Sequence, residues 1–182
     1  TAWRLCNEIR KYMGWVDGDG HLGGPHSGSL HVEVDKTFIG GIDKQGQQDK
    51  AIVLGMQERG GEVLTRVILS RRKKHVIPVI REHVIEGSKV YSDEAYTFMQ
   101  LASWGYRHES VNHLKGEYVK GHVHTNNIEA FWANVKRGIA GTYVWVSKKH
   151  LQTYLSEFEY RYNLRESPEL MMGALLRAFP RA

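Results

Sequence analysis

Cysteine is almost missing from this chain: Cys6 is the single thiol. One thiol excludes an internal disulfide and leaves too few thiolates for a zinc ribbon, so Cys6 reads as a small apolar core residue. No apolar run approaches the about 20 residues that a membrane helix needs. No basic segment followed by an apolar one opens the chain as a secretory leader would, and the expected compartment is the cytoplasm. There is no initiator methionine at Thr1, which fits a fragment or a processed chain. Internal repeats and low-complexity segments are also missing.

What is present is an ordinary globular composition with a basic excess. At 182 residues, 41% hydrophobic and 25% charged, the chain suits one domain with a real core. A net charge of +5 and a pI near 9.3 favour a polyanionic partner without proving one. The cations are grouped: Arg71, Arg72, Lys73 and Lys74 before His75, then Lys136 with Arg137, then Lys148 and Lys149 before His150. Such groups neutralise phosphates and make binding fall steeply with salt.

The stretch from Glu117 to Arg137 is the most informative. Its second half reads as a helix capped by Thr125 or Asn126, whose side-chain oxygens can accept from the first-turn N–H groups. Ile128, Phe131, Trp132 and Val135 recur at three- and four-residue steps and form one apolar face. Glu129 and Lys136 lie seven positions apart, which at about 3.6 residues per turn returns to nearly the same side. A carboxylate in this place raises the question of a metal site, and two aspartates upstream are partners for it. Asp35 closes the apolar-alternating run from Leu30, and Asp93 follows the strand-like run Lys89 to Ser92. Hard divalent cations take oxygen ligands and leave positions open for phosphates. Two such ions clamp the attacking and leaving oxygens of an in-line phosphoryl displacement.

Taken in order, residues 1–13 suit an amphipathic helix with Trp3, Cys6, Ile9 and Met13 on one face and Arg4, Arg10 and Lys11 turned away. Residues 14–29 are glycine-rich and read as a linker. Asp17 to Gly20 looks superficially like a calcium loop but lacks the remaining ligand positions. Strands are expected at 30–39, 51–57 and 62–70, the last two joined through Gly60 and Gly61 in a tight hairpin. A helix over 73–86 turns Val76, Val79, Ile80 and Val84 inward, and Pro78 is tolerable if the helix starts near it. Then come a strand ending at Asp93, a helix over 95–104, a strand over 107–112, the Glu129 helix, a long helix from Ser147 to about Arg165 and a short one over 170–179. This order matches an α/β, RNase H-like fold, in which a mixed five-stranded sheet flanked by helices carries acidic residues at neighbouring strand ends. The expected division is a helix and linker at 1–29, the catalytic domain at 30–165 and a tail at 166–182.

The words Val32 to Gly41, Tyr91-Ser92-Asp93-Glu94, Val111-Asn112-His113 and His124 to Trp132 resemble those of the ISXO-type insertion-sequence transposases, DDE enzymes akin to the Merlin elements. Lys149 to Arg165 is similar to that family's C-terminal helix. The resemblance implies that Asp35, Asp93 and Glu129 are the catalytic acids and hold two Mg²⁺ ions (Mn²⁺ can substitute), with Asn126 an alternative or additional ligand. It implies cleavage at transposon ends, attack of the freed 3′-OH on target DNA, and a dimer or higher multimer holding two ends near the bacterial nucleoid. It also implies an upstream DNA-binding module, so that this chain is the catalytic domain alone. DNA would meet Lys136, Arg137, His124 and the clusters at Arg71, Arg72, Lys73, Lys74, Lys148 and Lys149.

Several residues have plainer readings beside these. Glu129 as an exposed first-turn acid would interact with the helix dipole. Glu33 and Glu94 read as supporting residues rather than primary ligands. His113, His122 and His124 raise the possibility of zinc, but four ligands are wanted and Cys6 is distant. Phe131 and Trp132 read as core, although one ring can stack on an unpaired base. A nuclease that cleaves without joining, or a DNA-binding protein that has lost catalysis, is the remaining alternative.

Overall fold

The computed structural model describes residues 1–17, 20–24, 31–41, 50–93, 96–111 and 123–179. Helix α1 spans Ala2–Asp17, followed by strands β1 (His31–Ile39), β2 (Ala51–Glu58) and β3 (Val63–Ile68). Helix α2 (Lys73–His83) leads to β4 (Lys89–Asp93), a single 3₁₀ turn at Leu101–Trp104, and β5 (Arg107–Val111). Helices α3 (Asn126–Gly138), α4 (Lys148–Asn163) and α5 (Leu170–Ala178) complete the chain, with a π-helical turn at Ile139–Tyr143 between α3 and α4.

The five strands form one sheet in the order β3-β2-β1-β4-β5. The first three make an antiparallel meander, and β4 and β5 add in parallel on the other side of β1. The hairpin turn is made by Gly60 at φ +77°, a conformation open to glycine. This is the mixed sheet with flanking helices of an RNase H-like fold.

Alternation along the strands sorts the core into two halves. Val32, Val34, Leu54, Met56, Leu64 and Val90 face α2, meeting Val76, Ile77, Ile80, Val84, Phe98 and Leu101. The opposite face carries Ile39, Val53 and Val63 against Ile128, Phe131, Trp132 and Val135 of α3 and Leu151 and Leu155 of α4. Because β1 lies between, its odd residues (Glu33, Asp35, Thr37) stand on the face that α3 covers. The polar members of the strand are therefore the ones the helix must accommodate.

Strand β3 is an edge, and an edge exposes unpaired N–H and C=O groups. Here α4 covers it with side chains. Asn163 accepts from the N–H of Val63 at 2.8 Å and donates to its carbonyl at 3.0 Å. Glu159 accepts from the N–H of Thr65 at 3.0 Å and also from its hydroxyl. Gln152 accepts from Val67 at 2.8 Å and donates to the Thr65 carbonyl at 3.0 Å. The three residues that they serve alternate along β3, the outward-facing set of the edge.

Several elements depart from the expectations. Helix α1 runs to Asp17 and has no buried residue; Cys6 is exposed, not a core residue. Arg10, expected to point away, turns inward, donating to Glu157 at 2.7 Å and lying over the Tyr154 ring, because α4 supplies the partners. The linker contributes core after all, since Leu22 is buried and bridges to Val84. Pro78 sits inside α2; the missing N–H costs one helical bond, and burial of Ile77 and Ile80 on either side holds the turn. The helix expected over 95–104 is, within the described residues, a series of turns ending in the 3₁₀ turn. Phe98 and Leu101, three apart, reach the core as well from that geometry as from an α-helix. The calcium-loop residues Gly18 and Asp19 and the histidines 113 and 122 lie outside the described residues.

The carboxyl of Glu159 is fully buried and pushed up to about 7 from 4.5, chiefly by desolvation. The folded chain thus keeps a proton that the unfolded chain releases, so this contribution is complete below pH 4.5 and is lost as pH rises through 7. Glu159→Gln keeps the acceptor and removes the titration. Denaturant unfolding between about pH 5 and pH 7.5 is expected to show a wild-type decline steeper by about 2 kcal/mol than that of the variant.

Candidate active site

The register of β1 with β4 pairs Val34 with Ser92. One residue further on, Asp35 stands beside Asp93, the last residue of β4. Beyond that point β1 continues along β2 alone to Ile39, so the two aspartates mark the notch where the parallel strands part. Open α/β sheets bind ligands at such carboxyl ends.

Helix α3 brings the third acid. Glu129 is exposed on its first turn, and its Oε1 accepts from the Thr125 hydroxyl at 2.9 Å. The carboxyl of Asp35 is raised to about 6 from 3.8, first by burial and then by the charges of Asp93 and Glu129. Two donors oppose that rise: the Lys36 N–H at 2.7 Å and the Trp132 indole N–H at 3.1 Å. The structure therefore brings Asp35 and Asp93 together and sets Glu129 within their electrostatic reach. Among the described residues, no three His, Cys, Asp or Glu side chains converge closely enough to hold one ion. In chemical type the donors fit a hard divalent cation, because two adjacent aspartates with a third acid in electrostatic reach, and with Asp35 raised, are relieved by positive charge. Asn126 opens α3 and is exposed, one turn before Glu129.

The seat of α3 is made by a residue the sequence reading left in a supporting role. Glu33 is fully buried. Its carboxylate accepts from the N–H groups of Asn127 at 2.9 Å and Ile128 at 3.1 Å, and from the Asn127 side-chain amide at 2.7 Å. Arg59 donates to it at 3.1 Å, and His124 lies 3.5 Å away. Neither Thr125 nor Asn126 caps the helix through its side chain, contrary to expectation. Glu33 already fills that place, leaving the Thr125 hydroxyl to Glu129. A carboxylate among free first-turn N–H groups is stabilised both by the bonds and by the helix dipole. Glu33 and Asp35 lie two positions apart on one strand face, so the clamp on the helix and the candidate metal ligand have a fixed spacing.

Gly55 is a residue that sequence reasoning missed. It pairs with Asp35 across β1 and β2. A Cβ at this position would lie 2.3 Å from the Trp132 ring. Only a bare backbone lets the buried indole lie over β2 and reach Asp35. Trp132 is core, as expected, but its N–H also serves the aspartate. Both roles had signals: a Glu in a run of valines needs a buried partner, which for Glu33 is α3, and a lone Gly within an apolar strand marks close approach.

The basic residues fall in two groups. Arg71, Arg72 and Lys73 line a cleft of about 660 Å³ with Lys36, Tyr96 and Thr97. Lys36 interacts with both aspartates, while its own pKa is lowered mainly by burial. Lys74 lines the neighbouring groove toward Trp104. Lys136 borders a separate groove of about 280 Å³ with Gly40, Gly41 and Trp145. Arg137, Lys148 and Lys149 are exposed. His124 is engaged with Glu33 and Arg59. Its ring is thus a hydrogen-bonding member of the clamp on α3.

The sheet and its flanking helices are those of an RNase H-like domain, with two aspartates side by side and an acid on a following helix. Residues 23–163 match the family described as the ISXO2-like transposase domain, and the chain belongs to that family. An uncharacterized transposase-like protein of Haemophilus influenzae is 30% identical over 105 residues, 58% of this chain and 84% of that relative. No solved structure matches significantly. No helix among the described residues is long and apolar enough to cross a membrane.

Removing the charge of Glu33 leaves Arg59 and the α3 N–H groups with a poorer partner. Glu33→Gln is expected to cost about 2–4 kcal/mol in denaturant unfolding. Gly55→Ala should cost about 1–3 kcal/mol by displacing the indole, and the near-UV signal of Trp132 should change with it.

Proposed function

We propose that this domain is a metal-dependent DNA strand transferase, cutting transposon ends and joining the freed 3′-OH to target DNA. The observation that carries this reading is the placing of Asp35 beside Asp93, one residue past the last β1–β4 pair, inside a domain of the transposase family. Asp35 and Asp93 would hold Mg²⁺ or Mn²⁺. Glu129, turned away from Thr125, would complete the set, with Asn126 the neighbouring oxygen donor. When bound, two such ions supply activation of the attacking oxygen and neutralisation of charge on the leaving one.

The chain's own residues do the rest. Trp132 and the Lys36 N–H fix both oxygens of Asp35, so its orientation is set before any ligand arrives. Glu33 and Arg59 hold α3 at the depth that presents Glu129. Lys36, Arg71, Arg72 and Lys73 line the cleft on one side and would carry the phosphodiester of one strand. Lys74, Lys136, Arg137, Lys148 and Lys149 extend that contact, and His124 stands behind it. Holding two ends at once calls for a dimer or higher multimer.

The test is cleavage of a duplex carrying the element's terminal repeat, followed by joining of a precut end. Mg²⁺-dependent cleavage and joining are expected from the wild type. Asp35→Asn, Asp93→Asn and Glu129→Gln should each lower both by at least about a hundredfold. Cleavage without joining would reassign the domain as a nuclease, and full activity in all three variants would remove the site.

A further inference from the structure

Between α3 and α4 the backbone adopts a conformation that a valine rarely takes. Val144 has φ +61° and ψ −50°, and the N–H of Trp145 donates to the carbonyl of Tyr143 at 2.6 Å. This is the strained hand of the γ-turn, and a β-branched residue there is an outlier. Such strain persists only where the surroundings over-determine it. They do so here from both sides. The Tyr143 hydroxyl donates to Glu157 at 2.8 Å, and its ring packs edge-on against Tyr154 and Phe158. Val146, on the other side, is buried in the core beneath α3 and α4.

The clamped turn puts two apolar side chains outside: Val144 is 79% exposed and Trp145 58%. Trp145 borders the groove of about 280 Å³ that holds Gly40, Gly41, Phe38 and Lys136. Residues 130–156 contain four cations (Lys136, Arg137, Lys148 and Lys149) and no carboxylate. An exposed indole on a clamped turn, in a stretch whose only formal charges are positive, is complementary to a polyanion that also offers flat apolar faces. An unpaired nucleic-acid base, its phosphates on the flanking cations, meets both demands.

We propose that Trp145 is a stacking platform for one unpaired base of the DNA strand, seated beside the groove at Lys136; this rests on the DNA-processing reading above. The role that the sequence left open for Phe131 or Trp132 thus passes to Trp145, since both of those rings are buried.

The test measures binding of the full chain to an oligothymidylate and to an abasic backbone of equal length, by fluorescence anisotropy at one salt concentration. Wild type should prefer the strand that has bases. Trp145→Ala should lose about tenfold or more on that strand and nothing on the abasic one, while Trp145→Phe keeps most of the affinity. Lys136→Ala should weaken both strands alike and lower the salt dependence. Equal binding of both strands by the wild type overturns the proposal, as does an unchanged or equally weakened Trp145→Ala. If Mg²⁺-dependent cleavage persists in those cases, the function stands and only the platform falls. If wild type binds neither strand nor duplex, both fall. A self-association that Trp145→Ala dissolves, with oligonucleotide binding intact, assigns the turn to contact between copies instead.

Discussion

The buried carboxylate of Glu33 is the constraint on which the site depends. It sits on the sheet, yet its bonds are to the first turn of α3. A charge so placed is costly unless every oxygen is used, and here backbone N–H groups, an amide and a guanidinium use them. The helix therefore has one depth and one rotation at which the charge is satisfied. Glu129 and Trp132 inherit their positions from that docking, and Asp35 follows two residues along the same strand.

Around this clamp the site combines attraction with deliberate crowding. Asp35 is held by the Lys36 N–H and the Trp132 indole while Asp93 and Glu129 repel its charge. A protein selected for stability alone would not set two aspartates at a strand parting with a glutamate in electrostatic reach. The arrangement is understandable where a cation completes it. Gly55 belongs to the same design, because the space left by its missing side chain is the space the indole occupies.

Much of this was legible in the sequence, and the limits have physical causes. The strands and the helices from α3 onward could be read because their apolar periodicity is strong. Asp35, Asp93 and Glu129 stood out through the words around them. The Glu33 clamp was not legible, since a helix cap supplied from a distant strand leaves no local spacing to find. The lock of Gln152, Glu159 and Asn163 on β3 was hidden for a related reason: those side chains look like a solvated helix face until an edge strand lies beneath them. Arg10 and Cys6 were misassigned because helix α1 is half-covered, and a partly exposed amphipathic helix has no sharp inner face.

A crystal of the domain grown with Mn²⁺ and measured at the manganese edge tests the central claim most directly. The account predicts anomalous density at the parting of β1 and β4, coordinated by Asp35 and Asp93, with Glu129 swung from Thr125 to join them. Manganese bound elsewhere, with the two aspartates uncoordinated at saturating metal, would contradict it.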